Sequence, residues 1–126
     1  MGKFILRRTA DGVKFILRAA NNQIVVTSVP FFSEPECIIG IRSVKRVCSG
    51  AYIEDQTMEV YAAEKNPKFE IFLDDDSKFR FCLKDEVGDT LALSREYGSK
   101  DSCFHGIECL RKTAPYAAIV EESRGC

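Results

Sequence analysis

The sequence predicts an α+β domain assembled from two tandem β-β-β-α-β repeats. Three observations carry this. First, FFSEPECIIGIRSVK (31–45) returns in looser form as EYGSKDSCFHGIECLR (96–111). Setting Ser28 against Ser94 also brings Phe15 onto Phe81, Leu17 onto Leu83, Ser33 onto Ser99, Cys37 onto Cys103, Gly40 onto Gly106 and Ile41 onto Ile107. One extra residue in the first turn of the second copy then aligns Lys3 with Lys68 and Phe4 with Phe69. Such internal repetition marks one supersecondary unit used twice. Second, each copy opens with short apolar–polar alternations separated by turn formers, the period of strands. Third, each copy then changes to the 3.6-residue period of an amphipathic helix.

In chain order, KFILRR is a strand ended by ADG, where Asp-Gly is a strong hairpin signal. KFILRA, a turn at Asn21-Asn22 and QIVVTS follow, and the second copy repeats the series as KFEIFL, DDDS, KFRFCLK, a turn at Gly88-Asp89 and DTLALS. Ser33 is a natural N-cap, Glu36 completes a capping box, and Pro35 falls in the first turn, where its missing N–H costs nothing. Ser99 opens the second helix, with Asp101 placed favourably for the helix dipole. One face of the first helix gathers Cys37, Gly40, Ile41, Val44, Val47 and Cys48, and one face of the second Cys103, Gly106, Ile107, Leu110 and Ala114. These faces are expected to lie on the sheet. Glycine inside a helix costs roughly 1 kcal/mol against alanine, so its recurrence at 40 and 106 predicts a close backbone approach. AYIE and AAIVEE are the expected fourth strands. The chain reads as a single domain over 1–126, with repeat one at 2–55, a linker at 56–66 with local structure around Val60-Tyr61, and repeat two at 67–123.

At 126 residues and 45% hydrophobic, the chain can bury a continuous core without metals or disulfides. A net charge of -1 argues against a surface given over wholly to nucleic acid or anionic lipid, so any such binding has to be local. The N-terminus lacks the apolar run of a signal peptide, no later stretch reaches membrane-spanning length, and Leu6 stands where a myristoylation motif wants Ser or Thr. A cytoplasmic protein without membrane contact is expected.

The cysteines at 37, 48, 82, 103, 109 and 126 form no C-x-x-C and are expected to be structural thiols, with Cys126 the one most open to oxidation. No nucleotide-binding glycine loop, zinc-ligand pair or nucleophile elbow appears, so no catalytic residue, metal or cofactor is expected and the chain reads as a non-enzyme. His105 has Cys109 four residues on, but zinc needs third and fourth ligands, and His105 is expected to face solvent. DDDS at 74–77 lacks the alternating oxygen ligands of a calcium loop and is expected to be a solvated turn.

The lysine-aromatic strand, the Ser-ended third strand and the helix carrying an aromatic, Ser and GI are written in GKF, SVPFFSEPECIIGIRSVK and SREYGSKDSCFHGIECLRK. This pattern resembles the YegP-like family, small and mostly bacterial domains of unknown function often found as tandem pairs. It covers nearly the whole chain apart from the linker and ESRGC; SEPE departs from the more typical SKDS of the second copy. The resemblance implies that the last strands exchange between repeats within one continuous, mainly antiparallel sheet. It implies a monomer as well, because a tandem chain supplies its own exchange partner, and it brings no catalytic residues.

If Phe4, Leu6, Phe15, Leu17, Phe69, Ile71, Phe81 and Leu83 turn toward the helices, alternation sends Lys3, Ile5, Arg7, Lys14, Ile16 and Arg18 outward from the first half. The second half sends out Lys68, Glu70, Phe72, Arg80, Cys82 and Lys84. The charge is polarised: residues 1–50 carry eight Lys or Arg against three Asp or Glu, residues 51–126 ten against sixteen. Two functions follow. One is a non-enzymatic binding or accessory module that docks a protein partner by its sheet face or edge. The alternative is nucleic-acid or anionic-ligand binding, with Lys3, Arg7, Lys14, Arg18, Lys68, Arg80 and Lys84 on phosphates and Phe72 as a stacking surface. Against both stands simple coverage of an open sheet face by aliphatic Lys and Arg stems.

Overall fold

A computed structural model describes residues 2–122; Cys126, and with it the expectation about its oxidation, lies outside the described residues. The first repeat forms β1 (Lys3–Thr9), β2 (Gly12–Arg18), β3 (Ile24–Thr27), α1 (Glu34–Val47) and β4 (Tyr52–Asp55). The second forms β5 (Lys68–Leu73), β6 (Phe79–Lys84), β7 (Thr90–Ser94), α2 (Lys100–Thr113), a turn of 3-10 helix (Ala114–Tyr116) and β8 (Ala118–Glu121). Residues 56–66 contain neither helix nor strand, and Val60 and Tyr61 are exposed. Among the described residues no helix is long and apolar enough to cross a membrane.

Local chemistry sets the turns. The Asp74 Oδ1 accepts the N–H groups of Asp76 (2.9 Å) and Lys78 (3.0 Å), and the Asp85 Oδ1 accepts those of Val87 and Asp89 (both 3.0 Å). Ser77 (φ 60°), Gly88 (φ 90°) and Asn22 (φ 67°) supply the left-handed residue that each of these hairpins needs. Both helices begin at the expected caps, where the Ser33 and Ser99 side chains accept the N–H groups of Glu36 and Ser102. Among the described residues the Glu36 carboxylate makes no return bond to complete a capping box.

The eight strands form one sheet in the order β4-β5-β6-β7-β3-β2-β1-β8. The repeats meet where β3 and β7 run antiparallel, Val26 opposite Ser94 and Thr27 opposite Leu93. The last strands cross over: β4 lies parallel on β5, and β8 parallel on β1. All other pairings are antiparallel. The exchange and the continuous, mostly antiparallel sheet are therefore as the resemblance implied.

Both helices cover one face, and between them and the sheet Phe4, Phe15, Leu17, Ile41, Phe69, Ile71, Phe81, Leu83, Ile107 and Leu110 are fully buried. Burying one such side chain stabilises by about 1.5–3 kcal/mol. In each repeat a serine locks the third strand's end. Ser28 Oγ accepts the Phe15 N–H (2.9 Å) and donates to the Val29 carbonyl (2.8 Å); Ser94 does the same with Phe81 and Arg95 at the same distances. This returns an aromatic residue to the second strand, where Phe31 exchanges backbone hydrogen bonds with Val13 and Tyr97 with Phe79. The Phe31 ring stacks on Phe15 (6.2 Å) and the Tyr97 ring on Phe81 (6.4 Å). Each ring lies against a helix glycine. A Cβ at Gly40 would come within 2.5 Å of the Phe31 ring, and one at Gly106 within 2.2 Å of the Tyr97 hydroxyl. The two glycines thus let an aromatic ring lie on the helix backbone, the close approach that their recurrence predicts.

The exchange is clasped from the helices. Lys45 Nζ reaches over the Phe4 ring (5.7 Å) to the carbonyl of Ala117, where β8 arrives (2.6 Å). At the matching position, Arg111 lies over Phe69 (5.3 Å) and donates to the carbonyls of Ala51 (2.7 Å) and Cys48 (3.2 Å), where β4 arrives.

Candidate functional site

The outer sheet face holds the residues that the sequence sent outward, in two groups. Lys3, Arg7, Lys14 and Arg18 stand on β1 and β2; Lys68, Phe72, Arg80 and Lys84 stand on β5 and β6. A row of cross-strand neighbours runs between them from Ile5 through Ile16, Thr27, Leu93 and Cys82 to Glu70. Ile16 (2% exposed) and Cys82 are buried in this row, whereas Ile5 and Leu93 are half-buried.

Most of the cations have partners. Arg7 makes a two-pronged ion pair with Glu122 (2.8 and 2.9 Å), Arg18 donates to the Asn22 carbonyl (2.8 Å), and Arg80 donates to the Ser94 carbonyl (2.9 and 3.2 Å). Lys68 lies between Glu54 (2.9 Å) and Glu70 (3.3 Å), and Lys84 reaches Glu70 (3.4 Å). Phe72 is half-buried opposite Arg80. Among the described residues only Lys3 and Lys14 of this set make no hydrogen bond or ion pair.

Glu54 also stands on this face, although no sequence signal marks it. It is 3% exposed and accepts hydrogen bonds from the Gln56 amide, the Glu64 N–H (2.8 Å) and Lys68. Burial pushes its carboxyl up, but these donors and the Lys68 charge outweigh that and hold it at about 2. The second half of the face is thus a compensated ion network with the linker laid against it.

The helix side of the sheet has two clefts with one backbone frame. Because β3 and β7 join the repeats, each helix leans over the turn and third strand of the other repeat. In the first cleft Phe31, Glu36, Ile39, Gly40 and Ser43 face Asp85, Asp89, Thr90 and Leu91 across a cavity of about 260 Å³. In the second, Tyr97, Ser102, His105, Gly106 and Cys109 face Ala19, Gln23, Ile24 and Val25 across about 220 Å³. These two sets match position for position in the repeat alignment, and Arg95 and Asn21 join only the second.

The frames agree and the chemistry differs. The first cleft carries the carboxylates of Glu36, Asp85 and Asp89; the matching residues in the second are Ser102, Ala19 and Gln23. Phe31 becomes Tyr97, Ile39 becomes His105, and Arg95 takes the place of Val29. The Arg95 guanidinium lies 5.5 Å from the Tyr97 ring centre. Burial raises the Tyr97 hydroxyl above its ordinary value against the opposing pull of Arg95, so at neutral pH it is a hydrogen-bond donor. Among the described residues neither the Tyr97 hydroxyl nor the His105 ring makes a hydrogen bond.

His105 is exposed, as its helical position predicts, and it shares the cleft with half-buried Cys109. Cys37, Cys82 and Cys103 are buried, which pushes each thiol up to about 11. The one grouping of three carboxylate, His or Cys donors among the described residues is Asp74, Asp76 and Glu96, where the Asp74 Oδ1 is already taken by its turn.

Comparison with known proteins gives relatives at both repeat and full length. The chain is 52% identical over 54 residues to a UPF0339 protein of Treponema denticola, covering 43% of this chain and 93% of that one. It is 27% identical over 122 residues to a UPF0339 protein of Pseudomonas aeruginosa, covering 96% of this chain and 97% of the other. Its fold matches the solution NMR structure of the protein of unknown function yegP from E. coli with a TM-score of 0.79 at 21% identity, over 99% of this chain and 96% of that one. A UPF0339 protein of Shewanella oneidensis matches with a TM-score of 0.77 at 19% identity, over 95% of this chain and 90% of that one. The model of the domain of unknown function DUF1508 matches twice, at residues 9–55 and 74–121, and with both repeats matched the chain belongs to that family.

Proposed function

We propose that this protein is a small-ligand binding module, non-enzymatic, whose site is the cleft between α2 and the Ala19–Val25 segment. The observation that carries this is the divergence of two clefts built on one frame. A residue needed only for folding serves equally well in either copy, and Phe31 and Ile39 show that the frame holds with apolar residues where the second cleft has Tyr97 and His105. Hydrogen-bonding groups left without partners in one concave, partly apolar place are what a small-molecule site offers.

The outer face supports a partner less well, since Arg7, Lys68 and Lys84 are paired with carboxylates and Arg18 and Arg80 are tied to backbone carbonyls. This leaves Lys3 and Lys14 as the cations of its set, among the described residues, without a side-chain hydrogen bond or ion pair. An NMR titration of labelled protein with a charge-mixed fragment set tests the reading. Saturable shifts at Gln23, Tyr97, His105 and Gly106 are expected. Shifts confined to β1 and β2, obtained with single-stranded DNA at low salt while the fragments move nothing, would transfer the function to the outer face.

A further inference from the structure

The geometry points to a small oxyanion, the carboxylate or phosphate end of a metabolite-sized molecule, as the ligand group recognised in the second cleft by Arg95, Tyr97 and His105. This deepens the reading above and rests on the cleft being a binding site. Its basis is the sign of the change between the copies. Every carboxylate of the first cleft is absent from the second, where Ser102, Ala19 and Gln23 stand instead, and a guanidinium, an imidazole and a phenol have been gained.

Such donors are of one kind. Arg95 offers a planar fork of N–H groups suited to paired oxygens, and among the described residues it has no carboxylate partner. The Tyr97 hydroxyl is fixed by its ring, held between Phe81 and the bare backbone of Gly106. Asn21 uses its side-chain oxygen to accept the Gln23 N–H (3.1 Å), which leaves its amide NH₂ as the unused group. Glu108 on α2 lines the groove's continuation beside Lys112 and is held by Arg111 (2.9 Å).

The test is an amide-shift titration with inorganic phosphate and with acetate, against sodium chloride of equal ionic strength and against ethylammonium. Saturable movement of Gln23, Tyr97, His105 and Gly106 with either anion is expected, with Phe31, Ile39, Gly40 and Asp89 unmoved. Which anion binds tighter separates phosphate from carboxylate recognition. Arg95→Val and His105→Ile each copy what the first repeat carries at that position, so the frame tolerates them, and each should weaken binding by roughly tenfold, the scale of one charge-assisted hydrogen bond. Movement with ethylammonium alone would overturn the oxyanion assignment and leave the cleft as a binding site. Absence of saturable movement with all probes, or equal movement in both clefts, would overturn both.

Discussion

Glu54 shows how one buried carboxyl shapes the molecule's response to acid. Its carboxyl stands at about 2 in the folded chain against an ordinary value of 4.5, because Gln56, the Glu64 N–H and Lys68 together outweigh the cost of its burial. The unfolded chain therefore takes up the proton first. Stability from this group is fully present above about pH 4.5 and is lost as pH falls toward 2, by an amount on the order of 2 kcal/mol. Glu54→Gln should flatten that limb, so urea unfolding at pH 7 and pH 3 should differ less in the variant than in the parent; equal differences would contradict the assignment. Alternation along β5 and β6 was enough to send Lys68, Glu70 and Lys84 outward, but nothing local ties Glu54 to Lys68. That contact exists only because β4 pairs with the other repeat's first strand.

At the scale of elements, the exchanged strands are held by helices that belong to the other repeat. Lys45 on α1 grips the start of β8, and Arg111 on α2 grips the start of β4. Lys45→Met keeps the aliphatic stem over Phe4 and removes the donor. It should speed amide exchange in β8 by about tenfold, the worth of one hydrogen bond from a charged group, and leave β4 unchanged. Arg111→Met should do the reverse, and equal loosening of both edges by either change would show that the clasps are not local. The strands and helices themselves were legible because their signals are short-range: alternation in KFILRR, Asp at the turns, Ser33 and Ser99 as caps. The clasps were not legible, because a cation in the last turn of a helix is also what the helix dipole favours, and sequence cannot tell the two uses apart.

For the whole molecule, duplication does two things. It lets each repeat close the other's sheet, and it creates two clefts across the β3–β7 junction that need not stay alike. The repeat itself was legible from its matching residues. The clefts lay in the mismatches, Phe31 against Tyr97 and Ile39 against His105, whose meaning depends on α2 meeting the Ala19–Gln23 turn of the other half. His105 is exposed, as its helical position predicts; its company with Tyr97 and Arg95 comes only from the fold. On the proposed function, the shared frame is the site and its lining decides the ligand. The most direct measurement transplants the lining by Val29→Arg, Phe31→Tyr, Glu36→Ser, Ile39→His, Asp85→Ala and Asp89→Gln, and follows phosphate binding by amide shifts in both clefts of the one molecule. Saturable movement at Gly40 and Leu91 beside the native response at Gly106 is the predicted result. A folded transplant whose first cleft stays silent while the second responds would contradict it.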